Sequence, residues 1–142
     1  MMSELNEFHF LVGETLMFCQ TVELDIKYIY AAMLKGDFDE NYEEVEALTL
    51  GQTLRRLKKL DYSDNDHFFT EEDYKLLEEI TEKRNHIVHK TYQDFVYDKG
   101  HEYTKSYNKE LRDLRAFHDR MSRLSDNVEE VRFKALEIYH RN

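Results

Sequence analysis

Apolar residues recur at three- and four-residue steps through most of the chain, the period of helices buried along one face. From about Ser3 to Lys35, the positions Leu5, Phe8, Val12, Thr15, Cys19, Val22, Ile26, Ile29 and Met33 fall on one stripe. Ser3 suits an N-cap and Gly36 a stop. The acidic run Asp37 to Glu46 reads as a solvated turn, followed by a second helix with Val45, Leu48, Leu54, Leu57 and Leu60 inward. Asp61-Tyr-Ser-Asp-Asn-Asp reads as a solvated loop. Thr70-Glu-Glu-Asp has the form of a capping box and opens a third helix that reaches about Phe95. Tyr97 to Tyr107, with Gly100 inside it, is irregular. A fourth helix from about Lys105 to Tyr139 turns Leu114, Phe117, Met121, Leu124, Val128, Ala135 and Tyr139 inward. With no internal repeat, these elements predict one all-α domain over residues 1–142, an up-and-down bundle of four to five helices.

The first helix carries a second apolar line. Phe10, Met17, Leu24 and Ala31 repeat every seven residues, about 120–180° from the main stripe. Either this helix is central and touches more neighbours, or Phe10, Met17 and Leu24 form a seam between two copies.

Composition narrows the class. The chain has 142 residues, no proline and four glycines, which favours long helices with little punctuation. One cysteine, Cys19, excludes an internal disulfide and a cysteine metal cluster. No run is apolar enough to span a bilayer, and Glu4 and Glu7 stand where a secretion signal needs positive charge, so a cytoplasmic protein off the membrane is expected. The net charge of −10 disfavours a polyanionic partner, but the charge is uneven. Residues 1–70 carry 14 acids against 6 bases, whereas residues 83–123 carry 10 bases against 6 acids. The second segment leaves a place for RNA.

Candidate chemistry concentrates in Glu82-Lys-Arg-Asn-His-Ile-Val-His-Lys-Thr-Tyr92. On a helix of about 100° per residue, Leu77, Ile80, Val88, Thr91 and Phe95 define an apolar arc with Arg84 in its middle. A charge there requires a carboxylate partner across the bundle, such as Glu14 or Glu23, or a wet functional cleft. Asn85 and His89 share the edge of the same arc, while Arg84 and His89 lie roughly 140° apart. His86 falls outside the arc, toward solvent. A metal site from Glu82, His86 and His89 lacks the spacing of known helical zinc motifs, and no metal or other cofactor is expected. Metal-free RNA cleavage uses these residue types. Histidine titrates near neutrality and serves as proton carrier for a ribose 2′-hydroxyl. Arginine offers planar paired donors to a pentavalent phosphorane, and an amide holds either in place.

Arg84-Asn85-His86-Ile87-Val88-His89, near the end of the third helix of a small bundle, resembles the R-x4–6-H signature of HEPN domains. The resemblance covers about six residues as a motif and most of the chain as architecture. It implies a HEPN-like bundle, dimeric, with two motifs facing one another in a composite site. It further implies a metal-independent endoribonuclease of toxin, defence or RNA-processing type, with an antitoxin or regulatory protein as possible partner. Arg84 then stabilises the transition state, His89 transfers protons, Asn85 positions them, and a second copy supplies the second histidine. Some HEPN toxins carry a tyrosine two residues after the histidine; here that position is Thr91, and Tyr92 follows it. The alternative is a catalytically inactive HEPN-like bundle that binds a nucleotide, RNA or a protein.

Bases interleaved with tyrosines extend the picture. Lys90, Tyr92, Lys99, Lys105, Arg112 and Arg115 are candidate RNA contacts, since aromatics stack on bases while cations meet phosphates. The competing expectation is tyrosines packed on the bundle and a salt-bridged polar face on the last helix, with Asp119 among its arginines.

Overall fold

A computed structural model describes residues 4–93, 95–97 and 104–141. Five helices, and no strand, occur among the described residues: α1 (Glu4–Met33), α2 (Phe38–Glu46), α3 (Leu50–Asp61), α4 (Glu71–His89) and α5 (Lys105–Ile138). The protein is an all-α bundle.

α1 forms as its apolar stripe predicts, with Phe8, Cys19, Val22, Ile26 and Ile29 fully buried. It ends before Gly36, whose φ of 101° is costly for residues with a Cβ. Its last carbonyls are satisfied from outside the helix. Asn41 Nδ2 donates to the carbonyls of Ala31, Leu34 and Lys35, and the Arg141 guanidinium donates to those of Ala32, Leu34 and Gly36.

The acidic run after Gly36 is a helix, not the solvated turn its charge suggested. Asp37 caps it, accepting from the Glu40 amide at 3.1 Å, and Asp39 and Glu40 complement the positive end of the helix dipole. Phe38 and Tyr42 stack on Tyr28 of α1, and Val45 is buried. Thr49 and Gln52 then form a capping box, so the single helix expected to follow Val45 is two.

Thr70 and Asp73 make the expected capping box for α4. α4 stops at His89 rather than Phe95. The amides of Lys90 and Thr91 both donate to the His86 carbonyl, and the chain turns inward behind them. An aromatic cluster draws it there: Phe8 meets Tyr92, Phe95 and Tyr107 at centroid distances of 5.4, 5.3 and 5.6 Å. Leu114, Phe117, Met121, Leu124, Val128 and Ala135 of α5 are buried as expected. Tyr139 is not; it follows the last helical turn as the C-cap and is 38% exposed.

Cross-helix pairs fix the directions. Glu7 meets Arg115, Glu14 meets His118 and Asp25 meets Arg132, so α1 and α5 run parallel. Glu23 meets Arg84 while His9 meets Tyr92, so α4 is antiparallel to α1. Asp61, expected in a solvated loop, is instead the buried closure between α3 and α4. It accepts from the amides of Phe68 (2.8 Å) and Phe69 (3.2 Å) and from the Tyr74 hydroxyl (2.7 Å). Burial, together with that bond, pushes the Tyr74 hydroxyl far above its ordinary range.

Asp61→Ala leaves two buried donors and one partly buried donor without an acceptor, each of which contributes about 1.5–3 kcal/mol when bonded to a carboxylate. We expect a loss of about 3–5 kcal/mol in urea unfolding, partial relief being assumed from entering water; a loss below about 1 kcal/mol contradicts this role. His118 gives a second expectation. Burial lowers its pKa, but hydrogen bonds to Glu14 at 2.6 Å and Asp119 at 3.0 Å outweigh that and raise it above the ordinary histidine value. The protonated form is thus favoured in the fold, so its contribution is full below about pH 6.5 and fades as pH rises through the raised value. Melting temperature should fall over that interval in the wild type and respond less in His118→Gln.

Candidate functional site

α4 turns Tyr74, Leu77, Ile80 and Ile87 into the core, with Thr91 beyond its end. Arg84 stands on this inward line between Ile80 and Ile87. The helix is rotated slightly from the expected phase, so Ile87 takes the inner position and Val88, placed in the arc by its spacing, is 54% exposed. Four residues after Ile80 and three before Ile87, Arg84 is the polar break in an apolar ridge.

Its partner comes from α1. Arg84 Nη1 donates to Glu23 Oε2 at 2.7 Å, and the two side chains are 28% and 24% exposed. Lys27 Nζ stands 3.6 Å from the other oxygen of Glu23. Glu14, the other acid considered for this role, belongs to His118. Beneath the pair, burial holds the Cys19 thiol up at about 11, with Arg84 partly opposing, so it is not a ready nucleophile.

Asn85 and His89 are exposed on the outer side of α4. The helix is continuous through both motif ends, so the wheel separation of roughly 140° between Arg84 and His89 stands, and one chain does not turn the two side chains together. Tyr92, after the helix end, is half-buried; its hydroxyl is hydrogen-bonded to His9 Nδ1 at 2.7 Å.

The outer face of α1 borders this region. His9, Leu16 and Glu23 recur every seven residues; Glu23 meets Arg84 of α4 and His9 meets Tyr92 just beyond its end. Phe10, Met17 and Leu24 each follow by one residue, roughly 100° further round, away from the buried line of Phe8, Thr15 and Val22. They are 52%, 53% and 43% exposed. Three residues of the second stripe of α1 are therefore about half exposed, while Ala31, at its end, is buried.

The remaining candidates scatter. Lys90 and Lys105 are exposed, Arg112 is exposed and 4.0 Å from Asp113, and Arg115 is paired with Glu7 at 3.1 Å. Lys99 and Tyr103 lie outside the described residues. Tyr97 is exposed and Tyr107 is core. Asp119 binds His118 rather than the neighbouring arginines.

His86, expected toward solvent, is half-buried against α5. Its Nε2 donates to Glu110 Oε2 at 3.0 Å, and the Thr91 hydroxyl donates to the same oxygen at 2.8 Å. A cleft of about 600 Å³ opens there, lined by Lys83, His86, Thr91, Lys109, Glu110 and Phe117. Arg84, Asn85 and His89 are not part of its wall. The spacing of His86 and Glu110, 24 residues apart on different helices, carried no local signal. Among the described residues, no group of three or more His, Cys, Asp or Glu is placed to hold a metal ion, and no helix is long and apolar enough to cross a membrane.

Compared with known proteins, the chain matches no family model, no curated protein and no solved structure.

Proposed function

We propose that this chain is a HEPN-like metal-independent endoribonuclease that acts as a homodimer, with Arg84, Asn85 and His89 of two copies forming one composite site. The observation that carries this is the face shared by α1 and α4. A half-buried arginine interrupts an apolar ridge there, an amide and a histidine stand exposed on the same helix, and Phe10, Met17, Leu24 and Val88 are exposed apolar residues of these two helices. An exposed apolar line beside a functional motif marks an association surface. A two-fold contact presents the same patch twice, and so sets two motifs facing one another.

The chemistry follows from the residue types. His89 takes the proton of a ribose 2′-hydroxyl as the oxygen attacks the adjacent phosphorus. The leaving 5′-oxygen receives a proton from the second His89. Arg84 donates to the phosphorane oxygens as charge builds there, and Asn85 holds the phosphate or an imidazole in place. The products are a 2′,3′-cyclic phosphate and a 5′-hydroxyl. Because Arg84 and His89 diverge on one helix, each active centre needs the arginine and histidine to converge from two chains. A toxin or defence role, with an antitoxin or regulatory partner, belongs to the same proposal.

The competing function is a HEPN-like bundle that binds RNA, a nucleotide or a protein without turnover; the net charge of −10 favours it. One experiment separates them: purified protein with total tRNA and a generic single-stranded RNA in EDTA. We expect cleavage that survives EDTA, cyclic-phosphate ends, and a fall of about 10²–10⁴-fold in folded Arg84→Ala and His89→Ala. Wild-type rates in both variants overturn these roles, and binding without cleavage selects the second function. Light scattering should find two copies per particle, and Met17→Asp should yield monomers that no longer cleave; a cleaving monomer overturns the composite site.

A further inference from the structure

Arginine is a flexible reagent. A guanidinium that must meet a phosphorane from a groove has to be held, since misplacement by about 1 Å costs as much as 10²-fold in rate. Arg84's own helix offers nothing for this: its inward neighbours Ile80 and Ile87 are apolar. The hold comes from Glu23, on a different helix and 61 positions away, through a bond of 2.7 Å.

We infer that Glu23 is a positioning residue for Arg84, its carboxylate fixing the guanidinium between α1 and α4 so that its remaining donors are left for a phosphate. This rests on the ribonuclease assignment above.

Three observations carry it. First, the bond uses Nη1, one end of a five-donor fork, and Arg84 remains 28% exposed. The side chain is anchored without being fully buried. Second, Glu23 is shared: Lys27 Nζ stands 3.6 Å from its other oxygen and also donates to the Glu46 carbonyl at 3.2 Å, so the carboxylate is itself held from the side away from Arg84. Third, the next residue, Leu24, lies on the exposed stripe of α1. Association of two copies through that stripe bears on the helical turn that carries Glu23, and so couples assembly of the dimer to the setting of the arginine.

The test uses the full chain, as its natural assembly, in three forms: wild type, Glu23→Gln and Glu23→Asp. Nitrogen-detected NMR of the Arg84 guanidinium reports whether its rotation is hindered, and steady-state cleavage of the single-stranded RNA gives kcat and KM separately. We expect hindered rotation in the wild type and free rotation in Glu23→Gln. Its kcat should fall about 10²-fold with KM little changed, and Glu23→Asp should recover part of the loss. A kcat unchanged in Glu23→Gln, with a wild type that cleaves, overturns the positioning role and leaves the ribonuclease standing. A rise in kcat overturns it in favour of a latch. A loss that tracks melting temperature and is not recovered by Glu23→Asp assigns Glu23 to stability alone, and also overturns it. A wild type that does not cleave removes the ribonuclease and this inference together, while the NMR signature still decides whether the ion pair exists in solution.

Discussion

The rotation of α1 about its own axis decides which residues of this protein meet water. The helix is 30 residues long, about 45 Å at the usual rise, and it packs most extensively against α5. Burial of Phe8, Val22, Ile26 and Ile29 supplies the energy, at about 1.5–3 kcal/mol per large side chain. Apolar burial alone tolerates sliding and turning. The charged pairs restrict both: Glu7, Glu14 and Asp25 hold the α5 flank, and Glu23 holds the α4 flank. The exposed pairs contribute little energy, about 0–1 kcal/mol each, but their geometry adds up. Asp25 is different. It is buried, burial raises its pKa, and Arg132 opposes that rise at 2.9 Å. Loss of one partner of such a pair costs about 3–5 kcal/mol, so this is the pair that fixes register. With both flanks set, Phe10, Met17 and Leu24 have nowhere to point but outward.

The end of α4 is the second constraint. Had the helix continued to Phe95, Tyr92 and Phe95 would have followed the helical spiral past the core. Instead both Lys90 and Thr91 donate to the His86 carbonyl, and Phe8 collects the aromatic rings that follow. The termination leaves His89 as the last helical residue, exposed, while Thr91 folds under to join His86 on the buried Glu110. Two neighbouring histidines are therefore given different environments by one turn. His86 braces α4 against α5, and His89 is left accessible. A local rule of helix termination thereby separates a structural histidine from a candidate reagent three positions on.

Much of this was legible in the chain itself. The stripes of α1 and α5, the Thr70 capping box and the need of Arg84 for a carboxylate all follow from period and charge, because each depends on residues within a few turns. Glu23 was among the acids those rules offered. What was hidden depends on the tertiary fold. The phase of α4 was misjudged by one position because its few apolar residues fit two nearby rotations, and only the core chooses Ile87 over Val88. The helix at Phe38–Glu46 was obscured by its acids, whose stacking partner Tyr28 lies on another helix. Asp61 and Glu110 look like surface acids. Their donors come from chain segments whose return to them no local pattern announces.

The charge balance, which at first argued against an RNA partner, changes meaning once the pairs are known. Several acids of the first half are spent on bases of the second: Glu7 on Arg115, Glu23 on Arg84 and Asp25 on Arg132. The acidity of α1 is in that sense internal, a set of struts rather than a field facing outward. The acids of α2 remain exposed, and α2 adjoins the Arg84–Glu23 pair through the Glu46 carbonyl, which accepts from Lys27 Nζ at 3.2 Å. The same pairing also limits the bases left for phosphate. Lys90, Lys105, Lys109 and Arg123 are exposed, but they are spread over two helices instead of lining a track. Single-stranded RNA binding loses about 0.7 decades of affinity per decade of salt for each phosphate neutralised, so few contacts mean a shallow dependence. Bases so placed offer a polyanion a few isolated contacts rather than attraction along its length.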